Sequence, residues 1–188
     1  MGWRATISMI LPSVLALACA ANAQDIQTQT NQLNYSGVIQ PGCIMAAATL
    51  QSAQNATVSS PTPGSADVIV DQFVRDDAVP VGADITLSMM AACNQAHTLR
   101  VTSQNGALVN VGSQGPTGPF RDSLTYSVAV AWADDTQSFD SSDRQQARSI
   151  GDASRGPIIV TIQIPAGGAP MVAGSYSDQL VLELGVAG

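Results

Sequence analysis

Few residues in this chain could perform chemistry, and the scarcity of histidine and cysteine sets the first limit. His97 is the single histidine, and it follows Cys93 by four positions, a spacing that could supply half of a metal site. Cys43 is the other cysteine outside the apolar N-terminal stretch. A cysteine oxidised to a disulfide cannot bind a metal as thiolate, so we expect no metal centre here and interpret His97 as an exposed turn residue.

A group of acidic residues is the second candidate for chemistry. Asp134, Asp135, Asp140 and Asp143 could supply oxygen ligands to a calcium ion from one loop, although their spacing matches no EF-hand pattern. A solvated acidic loop is the interpretation that we favour, with a calcium site as the alternative.

No motif of covalent or phosphate chemistry is present in the sequence. There is no Gly-x-Ser-x-Gly nucleophile motif, and all seven cationic residues are arginines. Without lysine the chain can have neither a phosphate-loop lysine nor a Schiff base. We therefore expect that the protein is not an enzyme and that it has no cofactor.

Length and charge narrow the class of protein further. The chain has 188 residues and a net charge of −7, and its charged residues amount to 11%. This length suits one domain, and an acidic chain is a poor partner for nucleic acid, because phosphate binding requires a basic surface.

The N-terminus has the features of a secretory signal peptide. Arg4 precedes an apolar stretch that ends in Ala21-Asn22-Ala23, so we predict a signal peptide over residues 1–23 with cleavage between Ala23 and Gln24. Loss of Arg4 leaves six cations against 14 acidic groups, a balance of −8. Two cysteines then remain in an exported chain, and we predict a disulfide between Cys43 and Cys93, with free thiols as the alternative.

The elements that must position these residues are strands, because apolar residues alternate with polar ones in several segments. The alternating segments cover residues 33–39, 85–93, 99–102, 124–132, 158–164 and 180–186. Short strands separated by Pro- and Gly-rich turns predict an all-β, immunoglobulin-like antiparallel β-sandwich. Residues 134–153 are interpreted as a long loop or irregular hairpin, with a helix at 143–150 as the alternative, and residues 46–56 are left as loop or weak helix.

The C-terminal quarter carries a recognisable pattern. A strand over residues 158–164 runs through a Pro-rich turn into Ala173-Gly174-Ser175-Tyr176-Ser177-Asp178 and a closing strand. This arrangement resembles the spore coat protein U domain, the family that includes Csu-type subunits of archaic chaperone–usher pili. Gly174, Tyr176 and Asp178 carry the motif, and the strand that ends at Cys93 and the Leu-x-Tyr pattern at Leu124 agree with it.

The resemblance implies a pilus subunit whose sandwich lacks its final strand. Such a subunit would be exported to the periplasm, receive a strand from a chaperone, and pass through an outer-membrane usher to a surface fimbria with a role in adhesion or biofilm formation. A neighbouring subunit's N-terminal segment would then replace the chaperone strand. Residues 24–38 would be this donor segment and residues 39–188 the sandwich domain.

The donor face predicted from alternation consists of Leu33, Tyr35, Gly37 and Ile39. The alternative is that residues 33–39 are the domain's own first strand. A second class of function also stays open, a free-standing secreted β-sandwich that coats a surface or binds a ligand without strand exchange.

Overall fold

The structure is a computed structural model that describes residues 34–62 and 65–186. Residues from Ile39 onward belong to one compact unit, and residues 34–38 belong to a separate N-terminal unit. The predicted signal peptide, its cleavage site between Ala23 and Gln24, and Leu33 lie outside the described residues. Within the described ranges, no helix has the length and apolar character needed to cross a membrane.

Strands make up nearly all of the regular structure in these ranges, with one 3-10 turn at Ser141–Asp143. The strands are β1 Cys43–Met45, β2 Thr49–Gln54, β3 Ala56–Thr62, β4 Ser65–Val70, β5 Ala83–Cys93, β6 His97–Ser103, β7 Leu108–Asn110, β8 Ser123–Leu124, β9 Ser127–Trp132, β10 Asp135–Asp140, β11 Gln145–Ile150, β12 Ser154–Ile164, β13 Tyr176–Ser177 and β14 Leu180–Val186.

Two antiparallel sheets form the body of the molecule. The first has the order β1-β5-β12-β9-β10, with β2 following β1 along the same edge of β5. The second has the order β11-β6-β14. A hairpin, β3-β4, and a small sheet, β13-β7-β8, complete the described part of the chain. The prediction of an all-β antiparallel sandwich is confirmed.

The core lies between the two sheets because strands with period-2 patterns turn their apolar faces toward each other. Ile85 and Leu87 of β5 are buried there, as are Leu99 and Val101 of β6 and Ile158 of β12. Their polar neighbours along each strand face outward, as the alternation predicts. Each apolar side chain removed from water contributes roughly 1.5–3 kcal/mol to stability.

The interpretation of residues 134–153 as a long loop or irregular hairpin is wrong, because two strands occupy this segment and pair with β9 and β6, not with each other. Ala133 and Asp134 both have positive φ, 52° and 61°, and make the tight turn from β9 into β10. The alternative helix at 143–150 is wrong as well, since β11 covers residues 145–150 and pairs with β6. Residues 46–56, left as loop or weak helix, contain β2.

Candidate functional site

One edge of the sandwich is left open, and this open edge is the candidate functional site. We define it by five core-facing side chains at the edges of the two sheets: Met45 of β1, Leu50 of β2, and Leu180, Leu182 and Leu184 of β14. The strands β1 and β14 lie near each other there, yet no ladder joins them in the described part of the chain.

The five side chains point toward the core but are not fully covered. Met45 and Leu50 lie opposite the buried residues Ala91 and Leu87, yet their exposed fractions are 38% and 44%. Leu180, Leu182 and Leu184 are half-buried, although their partners on β6 are buried. Side chains that face a core stay accessible where no described element covers them, so this apolar row is only partly covered.

The backbone of β14 is also available at this edge. Within the described residues, β14 pairs with β6 on one side and with no strand on the other. Every second residue of such an edge strand turns its N–H and C=O groups away from the ladder, where a further strand can bond to them.

The opposite edge of the sandwich, between β10 and β11, is lined mainly by polar side chains. There β10 and β11 face each other, and an ion pair between Asp135 and Arg148 bridges the two sheets. Phe139 of β10 is 6% exposed, so its ring fills the space between the sheets. The two edges therefore differ in chemistry, because apolar side chains line the β1–β14 side and polar ones, Gln137, Gln146 and Arg148 among them, line the other.

The disulfide predicted between Cys43 and Cys93 is confirmed, and it anchors the first strand beside the open edge. The two residues are directly opposite each other in the ladder between β1 and β5, with Cα atoms 4.2 Å apart. Because β1 is three residues long, the covalent link holds a strand that few hydrogen bonds retain.

Asp178 of the C-terminal motif joins three segments of the chain just before β14. Its Oδ2 accepts hydrogen bonds from the Ser103 hydroxyl at 2.5 Å and the Tyr126 hydroxyl at 2.6 Å. Its Oδ1 accepts from the backbone N–H groups of Asn105 and Gln179, both at 2.8 Å. The carboxylate therefore fixes where β14 begins relative to β6 and β9.

Tyr126 interrupts the predicted strand 124–132 because its backbone bonds outside the ladder. Its N–H donates to the Ser141 hydroxyl oxygen at 3.0 Å, and its carbonyl accepts from the Ser141 N–H at 2.8 Å. Burial, and then the hydrogen bond to Asp178, raise the pKa of the Tyr126 phenol. The partners Ser103, Asn105 and Ser141 could not be recognised from the sequence, since serine and asparagine in turns are too common to carry a signal.

Gly174 of the motif lies so close to the Asn110 side chain that a larger residue would not fit. Its φ is 154°, and a Cβ at this position would collide with the side chain of Asn110. Asn110 donates from Nδ2 to the Ala173 carbonyl at 3.1 Å and accepts from the Gly112 N–H at 3.1 Å. Glycine thus allows the segment before β13 to lie against β7.

Tyr176 packs into the same small sheet. Its hydroxyl donates to the carbonyl of Val172 at 2.7 Å, and its ring lies 5.0 Å from that of Phe73, centroid to centroid. All three motif residues therefore stabilise the approach to β14.

The interpretation of His97 as an exposed turn residue is wrong, because the side chain is fully buried at the start of β6. Its Nδ1 lies 2.9 Å from the Gln95 carbonyl, and its Nε2 lies 2.9 Å from the indole Nε1 of Trp132. The indole N–H can only donate, so Nε2 accepts and Nδ1 carries the proton. Both ring nitrogens are thus engaged within the fold.

The structure separates the acidic residues considered for calcium. Asp134 and Asp135 are at the start of β10, whereas Asp140 and Asp143 are at and beyond its end, about 17 Å along the strand. Within the described residues, no group of three or more metal-ligating side chains comes together. The idea of one loop that gathers all four carboxylates is therefore wrong.

The predicted donor residues fall at the start of the described chain. Tyr35 and Gly37 are in the N-terminal unit, where residues 34–38 form no strand, and Ile39 is an exposed residue without strand structure. The described residues therefore give no support to the alternative that 33–39 is the first strand of the domain.

No family model, curated protein or solved structure matches the chain.

Proposed function

We propose that this protein is a structural subunit of a surface fibre, exported through the periplasm and assembled by strand exchange. In this proposal the open edge accepts an extended segment from another molecule, first from a periplasmic chaperone and then from a neighbouring subunit delivered to an outer-membrane usher. The fibre would serve adhesion or biofilm formation.

The open edge is the observation that carries the proposal. Three leucines of β14 and two side chains of β1 and β2 face the core without full cover, and within the described ranges no strand pairs with the outer side of β14. An added strand would bury this apolar row and bond to the free peptide groups together. The strand that fits must present an apolar side chain at every second position.

Residues 24–39 are the proposed donor segment in the neighbouring subunit. Leu33, Tyr35, Gly37 and Ile39 alternate in the required way, and the small Gly37 suits a shallow place in the row. The described part of this segment forms no strand, so its backbone groups are not committed to a ladder.

The acceptor side is tested with two substitutions on the same strand. Leu182→Glu places a charge in the open edge, and Val181→Glu places the same charge on the outer face of β14 as a matched control. Both variants are expressed with the chaperone and usher, and fibres are counted by electron microscopy. We expect fibres to be lost with Leu182→Glu and retained with Val181→Glu.

The donor side is tested in the same way. Leu33→Asp and Tyr35→Asp should abolish polymers, whereas Asn34→Asp, on the other face of the segment, should not. A stable monomer from the intact chain, with no polymers under any expression condition, would contradict the proposal and favour a free-standing secreted sandwich.

A further inference from the structure

Residues 40–42 form the linker between the N-terminal segment and β1, and their sequence favours a reversal of the chain. Gln40-Pro41-Gly42-Cys43 has proline and glycine at the two central positions, as a type II turn requires. Such a turn needs a positive φ at Gly42, and the Cys43 N–H then donates to the Gln40 carbonyl. From sequence alone, the chain would be expected to turn directly before β1.

The structure has neither feature of this turn. Residues 40–42 form no turn or bend, and Gly42 is not among the glycines with positive φ. The Gln40 carbonyl, which would close the turn, accepts instead from the side-chain Nδ2 of Asn94 at 2.8 Å. The Oδ1 of the same side chain accepts from the Gly42 N–H at 2.8 Å. One amide group therefore holds both ends of the linker.

The backbone of Asn94 supports the same arrangement. Asn94 directly follows β5, and its N–H donates to the Gly42 carbonyl at 3.1 Å, next to the opposed residues Cys43 and Cys93. This bond extends the ladder between β1 and β5 by one step. The linker is thus held in the direction of β1 by three hydrogen bonds from a single residue.

A turn at the linker would bring the chain back along the open edge of the same molecule. The Gly42 carbonyl and the Ala46 N–H bond toward β5. Because backbone groups alternate in direction along a strand, the N–H of Cys43 faces the other side of β1. That side belongs to the open edge, so a reversed segment would lie there and occupy the place of an incoming strand.

The reversed segment would also present the wrong face to the core. A two-residue turn opposes Ile39 to Ile44 and Val38 to Met45. Since Met45 faces the core, Val38 would cover it, and the predicted donor face, which includes Ile39, would point outward. A molecule closed in this way could neither accept a strand nor donate its own.

We propose that Asn94 is a positioning residue that prevents this self-closure and keeps the open edge and the N-terminal segment of each molecule available to a second copy of the chain. The inference rests on the proposed function, because self-closure matters only where strands are exchanged. Asn94 acts through the linker, and loss of its side chain leaves a Pro-Gly sequence that favours the turn.

Disulfide trapping of the closed form tests this proposal without any need for fibres. Ile39 and Ile44 are 86% and 74% exposed, and in the closed form they would be a non-hydrogen-bonded pair with Cα atoms about 4.5 Å apart. Both are replaced by cysteine in a chain that starts at Gln24, and peptide mass spectrometry measures the bond between the two new cysteines in monomers. We expect Asn94→Ala to increase this bond about tenfold, since two hydrogen bonds that oppose the turn are lost. Equal amounts with and without Asn94→Ala would overturn the proposal.

A second substitution separates the effect on the linker from a general folding defect. Valine at position 42 disfavours the positive φ of the turn, and nothing lies within 4 Å of a Cβ there in the extended linker. Gly42→Val added to Asn94→Ala should return the trapped fraction to within about threefold of the wild-type level. Asn105→Ala, which removes a hydrogen bond to the Ser177 carbonyl beyond the other end of β6, is the matched control and should leave trapping unchanged. Failure of the rescue by Gly42→Val would overturn the proposal.

Fibre counts then distinguish this inference from the proposed function. With chaperone and usher present, Asn94→Ala should lower the number of fibres about tenfold, and Gly42→Val should restore it. Unchanged fibres in Asn94→Ala would overturn the inference and leave the proposed function standing. Trapping that responds to Asn94→Ala in a chain that never forms fibres would support the role of Asn94 in holding the linker and contradict the proposed function.

Discussion

At the scale of single residues, Asp178 links the segment before β14 to β6 and to the residue before β9. One carboxylate accepts four hydrogen bonds, from two hydroxyl groups and two backbone N–H groups on both sides of the core. Hydrogen bonds to a charged acceptor are about twice as strong as neutral ones. This explains why the motif has an aspartate directly before the last strand.

Replacement of Asp178 by asparagine should be costly. The amide has one acceptor oxygen in place of two, and its NH2 group would face a hydroxyl or an N–H. We expect Asp178→Asn to lower the free energy of unfolding by about 2–3 kcal/mol in urea denaturation. Asp152→Asn, an exposed residue, is the control and should change it by less than about 0.5 kcal/mol. Equal effects of the two changes would contradict this role.

Tyr126 makes the free energy of unfolding depend on pH in the alkaline range. The pKa of Tyr126 in the folded protein is raised above the ordinary value of 10.0. At pH values between the two, the folded protein therefore keeps the phenolic proton and the unfolded chain has lost it. Its contribution is therefore complete below about pH 10 and falls as the pH rises further. Tyr126→Phe should flatten this decline between about pH 9 and about pH 11, measured by urea unfolding at each pH. An unchanged slope would contradict the assignment.

At the scale of elements, the contact between Gly174 and Asn110 sets how closely β13 approaches β7. We expect Gly174→Ala to lower the free energy of unfolding by about 1–3 kcal/mol, because the new methyl group meets the Asn110 side chain. Gly185→Ala is the matched control, since nothing lies within 4 Å of a Cβ there. Asn110→Gly should relieve part of the cost in the double variant, and strict additivity would argue against the contact.

The disulfide holds β1 to β5 in the folded protein and restricts the conformations of the unfolded chain. It closes a loop with a sequence separation of 50, for which the chain-entropy model gives about 4 kcal/mol. The double variant Cys43→Ser with Cys93→Ser should lose several kcal/mol of unfolding free energy in denaturant titration. Reductant should destabilise the wild-type protein and leave the double variant unchanged. Identical melting of the wild-type protein with and without reductant would contradict this.

The alternation of apolar residues predicted β5 and β12 well because each buries one face, and β14 because its alternate leucines face the core, although they are only half-buried. The strands β2, β10 and β11 were missed, since they lie at sheet edges and their core-facing positions are largely polar, so their sequences show little apolar alternation. The disulfide could be predicted from the number of cysteines that remain after the predicted signal peptide. The burial of His97 could not be predicted, because its partner Trp132 is 35 residues away and the bond between them depends on the tertiary fold.

At the scale of the whole molecule, a row of apolar side chains is only partly covered along the β1–β14 side of the described sandwich. A ligand that binds the folded state alone raises its stability by mass action, about 2.7 kcal/mol at a concentration of 100 times Kd. A peptide of residues 24–39 should therefore raise the Tm of a chain that begins at Ile39, in a dose-dependent way. A peptide with Leu33→Ser and Tyr35→Ser is the control. Equal melting with both peptides would show that the edge does not accept this segment.

The hydrogen bond between His97 and Trp132 provides a built-in optical probe. In a chain that starts at Gln24, Trp132 is the sole indole, because the other tryptophan is Trp3. Its ring is 4% exposed and packs edge-on to the imidazole, with centroids 5.9 Å apart. Fluorescence from the sandwich interior can therefore be followed during assembly without any attached dye.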